Sequence, residues 1–318
     1  MNPDIQLTNQ KILDQITSGQ EKQAAENFNK FLRVRAREDG FTREIMPPEP
    51  ITPSQLTKQI DTDMPAVVLD KEPNSTAAYS VPFGTGASGA AMVGPRYRIT
   101  MHRLATDQFS ADVERLKTYD MDLKEVFSAL LLKDLMDEED RKFISLVDTL
   151  VGDLNDTTVA NTRLTNTSAL GFITAGTVSR ESLAHARGGL NATDNAIPVS
   201  KSLVNVLFLD KVAALDRTDL GGDLAEDVFV NAWTKENIMG IPTLATTKHS
   251  LVPNNTQYLF GAPKYLGKFL VPNDLTVSFK TEDYNILLRA YEMIGCAIGN
   301  EAAVAKVQYT GSQQDWRP

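Results

Sequence analysis

The chain is poor in the residues on which metal and nucleophile chemistry usually rest. Its single cysteine, Cys296, allows no intrachain disulfide, and it stands in an alternating apolar run where it reads as a small buried hydrophobe rather than a reactive thiol. Three histidines, His102, His185 and His249, are scattered, with no pair at i, i+4 and no cysteine partners, which removes the pattern of a structural zinc site. No Gly-x-Ser-x-Gly elbow occurs. The glycine-rich stretch Gly84 to Gly94 lacks the Gly-Lys-Ser/Thr ending of a P-loop and does not lead into a helix, so a flexible hairpin tip fits it better than a phosphate cradle. The acidic group Asp134, Asp137, Glu138, Glu139 and Asp140 lacks the glycine and spacing of a calcium loop, and reads as a solvated helix face or as a charged stripe for a neighbour's basic residues. No catalytic, cofactor-binding or metal-ligating residue is assigned, and no cofactor is expected.

Long apolar runs are also missing. Nothing approaches the ~18 apolar residues of a membrane span, and Met1-Asn2-Pro3-Asp4 lacks the basic flank and apolar core of a secretory signal, so the expectation is a protein made in the cytosol with no membrane partner. Thirty-two basic residues stand against forty-one acidic ones, a net charge of -9. That balance disfavours gripping nucleic acid by phosphate neutralisation, yet suits a wall that must not stick to an enclosed polyanion.

The 318 residues, 42% of them hydrophobic, are enough for two domains or for one domain with large extensions. Near the N-terminus Ile12, Leu13 and Ile16 form a short apolar stripe, Ser18-Gly19 interrupts it, and Ala24, Ala25, Phe28, Phe31 and Leu32 continue at helical spacing. Such a stripe needs a surface, either its own domain or a neighbour. Five prolines between Met46 and Pro65 forbid a continuous helix or central strand and mark a linker. Ala66 to Leu69, the segment ending Val81-Pro82-Phe83, the glycine apex and the return Tyr97 to Leu104 read as a long projecting hairpin. Val81, Phe83, Ile99 and Leu104 lack an obvious local partner, so cover by another subunit is expected.

Asp122 with Glu125 opens a long helix to about Asp153. Its stripe runs Leu123, Val126, Phe127, Leu130, Leu131 and Leu135, and resumes after the acidic stretch with Phe143, Val147, Leu150 and Val151. Ser179 is placed as an N-cap with Glu181 in the first turn, and Gly188-Gly189 ends that helix. Leu203 to Leu209 reads as a buried strand followed by a helix capped by Asp210, and Leu224 to Ala232 as a further helix. Ile241 to Ala245 and Gln257 to Gly261 read as strands. Leu275, Val277 and Phe279 alternate with Thr276, Ser278 and Lys280. A second run places Tyr284, Ile286, Leu288, Ala290, Ile294, Cys296 and Ile298 on one face, interrupted only by Glu292, with Asn285, Arg289 and Tyr291 opposite. After Gly299-Asn300 the chain returns through Ala303, Ala305, Val307 and Tyr309, which reads as an antiparallel meander closing a sheet.

This order of parts resembles the major capsid proteins of tailed phages of the Hong Kong 97 type. The local matches are Asn205 to Lys211, Ile238 to Thr246 and Tyr291 to Ala303, where the family commonly shows a hydrophobic-Gly-hydrophobic-Pro step into a strand and a glycine-bearing hairpin followed by Ala-Ala-Val. The resemblance implies an α+β fold with an N-terminal arm (1–45), a linker (46–65), an extended hairpin or E-loop (66–118), a peripheral domain (119–170 and 271–311) with spine helix 122–153, an axial domain (171–270) and a C-terminal tail (312–318). It implies a shell of hexamers and pentamers enclosing double-stranded DNA, assembled in the host bacterial cytoplasm with a separate scaffolding protein, a portal and decoration proteins as partners. Candidate intersubunit contacts are Phe28, Phe31 and Leu32 on the arm, and Val81, Phe83, Gly84, Gly86, Gly89 and Gly94 on the hairpin. An encapsulin-type nanocompartment shares the fold and stays open as an alternative. An α/β enzyme with a ligand at the Gly84 to Gly94 loop is the different-class alternative, and sedimentation separates a shell from a small soluble enzyme.

Overall fold

Starting at a five-residue helix, α1 (Phe41–Ile45), the chain passes a short edge strand β1 (Pro48–Pro50), a single 3-10 turn, and β2 (Thr57–Lys58). Strands β3 (Pro65–Asp70), β4 (Arg96–Thr100), β5 (His102–Ala105) and β6 (Phe109–Asp112) follow, then helices α2 (Val113–Lys117) and α3 (Leu123–Val151). Next come β7 (Phe172–Ala175), α4 (Arg180–Gly189), β8 (Val199–Asn205) and α5 (Val206–Ala213). The remainder is β9 (Asn237–Ile238), β10 (Ile241–Thr246), β11 (Thr256–Gly261), α6 (Pro263–Leu266), β12 (Gly267–Glu282), β13 (Asn285–Ile298) and β14 (Val304–Tyr309). These elements come from a computed structural model that describes residues 10–11, 13–14, 40–58, 64–70, 96–117, 123–151, 172–189, 197–213, 237–282, 284–300 and 303–309. The expected arm stripe at Phe28, Phe31 and Leu32, the hairpin apex and the helix at 224–232 lie outside the described residues.

The strands form three sheets. The first has the order β1-β12-β13-β5, with β6 also pairing with β13, and its spine is the long antiparallel ladder of β12 and β13. The alternation in the sequence is the cause: Leu275, Val277 and Phe279 point inward from β12, and Ile286, Leu288, Ala290, Glu292 and Ile294 from β13. Pro48 and Pro50 sit in β1 at the sheet edge, where a missing N–H costs no ladder bond. The second sheet has the order β7-β14-β11-β8-β10-β9. Every residue of β11 is buried because both faces are covered: Tyr258 and Phe260 face the core shared with α3, and Leu259 faces a cluster holding Val178, Leu183, Ala186 and Phe208. The third sheet, β2-β3-β4, is the base of the hairpin, and it packs through Val67 and Ile99 against Leu270, Met293 and Ala297 of the first sheet.

Helix α3 lies between the two larger sheets. Its 29 residues lack proline and glycine and span about 43 Å at 1.5 Å per residue. Its buried face is the series Leu131, Leu132, Leu135, Met136, Glu139, Asp140, Phe143, Ile144, Val147 and Val151, a regular helical stripe through which one core unites both sheets. Leu130, expected on the stripe, is 45% exposed, and Leu132, Met136 and Ile144 take the inward positions.

Four further expectations need correction. The C-terminal return does not close a meander on β13. Both edges of β13 are taken, by β12 on one side and by β5 and β6 on the other, so β14 crosses to the second sheet and pairs with β11 and β7. The strand expected over Leu203 to Leu209 ends at Asn205, whose Oδ1 accepts from the Leu207 N–H and starts α5, so Asn205 rather than Asp210 does the capping. The projecting hairpin does not extend to residue 118. Beyond Met101 the chain joins β13, and Ile99 and Leu104, read as lacking local partners, are buried at 1% and 3% in the subunit's own clusters. The acidic stretch is not wholly a solvated face, since Glu139 and Asp140 are buried. Ser179, by contrast, caps α4 as expected. Its Oγ accepts from the Ser182 N–H, and Ser182 Oγ accepts from the Ser179 N–H in return.

Gly267 begins β12 where the strand is pressed against Ala297. A Cβ there would lie 2.1 Å from the Ala297 carbonyl oxygen and 2.8 Å from Ile298 Cα, both backbone atoms that cannot swing aside. Gly267→Ala is therefore expected to destabilise the subunit by about 1–3 kcal/mol. Gly188→Ala, in α4 with nothing within 4 Å, should leave stability unchanged or raise it by up to ~1 kcal/mol. Thermal or chemical denaturation of the two variants checks the contrast.

Candidate functional site

Three ionisable groups far apart in sequence meet in the core. Arg43 of α1 donates from Nε to Glu139 Oε1 at 3.1 Å and from Nη2 to Glu139 Oε2 at 3.0 Å, a two-pronged grip on a carboxylate of α3. The same Nη2 donates to Glu292 Oε1 of β13 at 2.6 Å. Exposure is 8% for Arg43 and 1% for each glutamate, so water screens none of this. The next carboxylate along α3 is equally engaged. Asp140 Oδ1 accepts from the Thr42 N–H at 3.0 Å and the Thr42 hydroxyl at 2.6 Å, and Oδ2 accepts from Lys248 Nζ at 2.6 Å. Lys248 also reaches Asp137 Oδ1 at 2.6 Å and stands 5.7 Å from the centre of the Phe41 ring. Lys201 of β8 donates to the Glu44 carbonyl at 2.6 Å.

Consecutive residues of one short helix are thereby fixed to three bodies. Arg43 joins α3 to the first sheet, Thr42 holds α3 again, and Lys201 and Lys248 bring in the second sheet and the turn after β10. Burial drives the Glu139 carboxyl up to about 7 against the pull of Arg43, with Glu292 and Asp140 adding in the same direction. On Arg43 the same burial acts to lower, but Glu139 and Glu292 outweigh it and hold the guanidinium firmly charged. Lys248 follows the same logic, its burial outweighed by Asp137 and Asp140. Cys296 is pushed up to about 12 by burial, with the Glu139 charge adding, which leaves the neutral thiol of a small core residue.

This arrangement clamps rather than reacts. Arg43 donates to Glu139 and Glu292 and Thr42 donates to Asp140, and among the described residues no group of three or more His, Cys, Asp or Glu could hold a metal ion. Among those residues, too, no helix is long and apolar enough to cross a membrane. The expected intersubunit contacts Phe28, Phe31, Leu32, Val81, Phe83, Gly84, Gly86, Gly89 and Gly94 all lie outside the described residues. What the structure adds near them is the hairpin base, where Met64 and Val68 are 49% and 46% exposed while Val67 faces inward. The sequence held a signal for the clamp that reading by residue type missed: Glu139 and Asp140 continue the apolar period of α3, and Glu292 interrupts the apolar face of β13. Arg43 carried none.

No protein-family model matches the chain, and no curated protein matches it. Solved structures do. The capsid of the cyanophage P-SCSP1u aligns with TM-score 0.58 at 10% identity over 84% of this chain and 87% of that one. The mature capsid of bacteriophage PhiM1 aligns with TM-score 0.58 at 9% identity over 86% and 87%. The capsid of a native gene transfer agent particle gives TM-score 0.56 at 16% identity over 84% and 89%. The chain has the α+β capsid fold of the Hong Kong 97 type.

Arg43→Met removes the guanidinium that the buried carboxylates of Glu139 and Glu292 both bind, and is expected to destabilise the subunit by about 3–5 kcal/mol. Lys268→Met, which removes the exposed pair with Glu49, should change stability by less than about 1 kcal/mol. Urea denaturation of both variants measures the difference.

Proposed function

We propose that this chain is the major capsid protein of a tailed bacteriophage, self-assembling into hexamers and pentamers that form an icosahedral head around double-stranded DNA. The observation that carries the reading is a subunit whose whole ordered plan, two sheets bridged by one long helix with a hairpin based on the first sheet, matches capsid subunits over most of both chains. A phage-type shell is favoured over an encapsulin-type compartment because phage capsids and gene transfer agent capsids are the neighbours described above. The subunit's role is structural, and a net charge of -9 fits a wall that encloses DNA without binding its sequence.

Within this reading the first sheet and α3 form the peripheral domain, and the second sheet, including β14, forms the axial domain. Exposed Met64 and Val68 at the hairpin base meet a neighbouring subunit, as do Val81, Phe83 and the glycines Gly84, Gly86, Gly89 and Gly94 of the hairpin beyond. The arm stripe Phe28, Phe31 and Leu32 clamps another subunit. A separate scaffolding protein guides assembly, a portal occupies one vertex, decoration proteins bind outside, and the finished shell is the virion capsid, assembled in the host bacterial cytoplasm.

Expressed alone or with its scaffold, the protein should sediment as closed particles that negative-stain microscopy resolves into hexamers and pentamers. A monomer that persists under all such conditions rejects the proposal. Phe28→Ala combined with Phe31→Ala removes two side chains each contributing about 1.5–3 kcal/mol of burial per contact. It should lower the dissociation temperature of the shell while leaving the far-ultraviolet circular dichroism of the subunit unchanged.

A further inference from the structure

The hairpin base and the first sheet meet over a missing side chain. Gly295 of β13 lies opposite Leu270 of β12, and a Cβ built on it would stand 2.6 Å from Met101 Sδ, 2.8 Å from Met101 Cε and 3.1 Å from Ile99 Cγ2. Ordinary van der Waals contact begins at 3.4 Å. The end of β4 therefore sits closer to β13 than any residue but glycine at 295 allows. Both neighbours are held from behind. Ile99 is 1% exposed, pairs with Val67 of β3, and as a β-branched residue is stiff at its first side-chain torsion. Met101 is 3% exposed, and its N–H donates to the Pro65 carbonyl at 2.9 Å, which joins the two legs of the hairpin at their root. One residue later His102 is already in β5, paired with Ile294, the neighbour of Gly295. The chain thus passes from the third sheet to the first directly at Gly295, and Val67, Leu69, Tyr97, Leu270 and Met293 fill out the same apolar cluster.

We propose that Gly295 is the positioning residue of the hairpin: the notch it leaves in β13 seats Met101 and Ile99, and so sets the height and angle of β3 and β4 over the first sheet. A larger side chain at 295 fills the notch and lifts the root. Only Met101 separates β4 from β5, so the displacement is carried into the third sheet as a tilt, close-packed neighbours passing the strain on. Under the shell-forming reading this angle decides where the hairpin meets a neighbouring subunit. The notch itself is a property of the single subunit, and its test does not depend on that reading.

Structures of the full chain, superposed on β12 and β13, test this for wild type, Gly295→Val, and Gly295→Val combined with Met101→Ala. In Gly295→Val, β3 and β4 should move away from the first sheet by about 1 Å or more, the gap between a 2.6 Å approach and ordinary contact. The double variant transfers volume from residue 101 to residue 295 with little change in the total, and should return β3 and β4 to their wild-type place. A third sheet that stays in place in Gly295→Val, with only the Met101 side chain turned aside, overturns the proposal, and so does a double variant that remains displaced. Should Gly295→Val fail to fold, Gly295→Ala, which presents the Cβ alone, takes its place with the same outcomes.

Discussion

The rest of the subunit hangs on one guanidinium. Arg43 lies 96 residues from Glu139 and 249 from Glu292, and its bonds to both carboxylates tie the beginning of the described core to its middle and its end. An apolar residue in its place could fill the volume but could not fix direction. The fork of Arg43 meets Glu139 through two atoms and Glu292 through a third contact, so α1 can sit on α3 in one orientation only.

Around that point the apolar packing is arranged in layers. Helix α3 runs between two sheets, with Phe143 and Phe260 at 5.6 Å between ring centres on one side and Val277, Ile286 and Leu288 on the other. The second sheet is closed on its far face by α4 and α5, through Leu183, Ala186 and Phe208. Among the described residues the hairpin base covers part of the far face of the first sheet, where Gly295 leaves the space that Met101 and Ile99 fill. Tyr291, on the same strand and the opposite face from Ala290, remains 36% exposed.

The crossing of β14 makes the two sheets one unit. After β13 the Gly299 and Asn300 N–H groups both donate to the Leu266 carbonyl, turning the chain past the start of β12 and toward β11. Lys306 of β14 then reaches Asp148 of α3 at 2.8 Å, and Tyr258 of β11 donates to the same carboxylate oxygen at 3.1 Å. A polar bracket at the C-terminal end of α3 thus complements the one near its middle, and the helix is held at both places by charge and along its length by apolar contact.

Local chemistry alone determined the elements whose signal lies in neighbouring residues. The alternation of β12 and β13, the apolar stripe of α3 within residues 123–151 and the Ser179 cap of α4 are all written in the spacing of residues close in sequence. The sequence also carried the Hong Kong 97-type order of parts, because that order is the succession of such elements. Tertiary structure decided what depends on vacancy and distance. Whether β14 joins β13 rests on which strand edges are already occupied. Whether Leu203 to Leu209 stays a strand rests on Asn205 capping a helix in the middle of an apolar run that either state could bury. And whether Glu139, Asp140 and Glu292 face water or the core rests on cations brought from residues 43 and 248, since a buried carboxylate is tolerable only where a partner from elsewhere in the chain arrives to meet it.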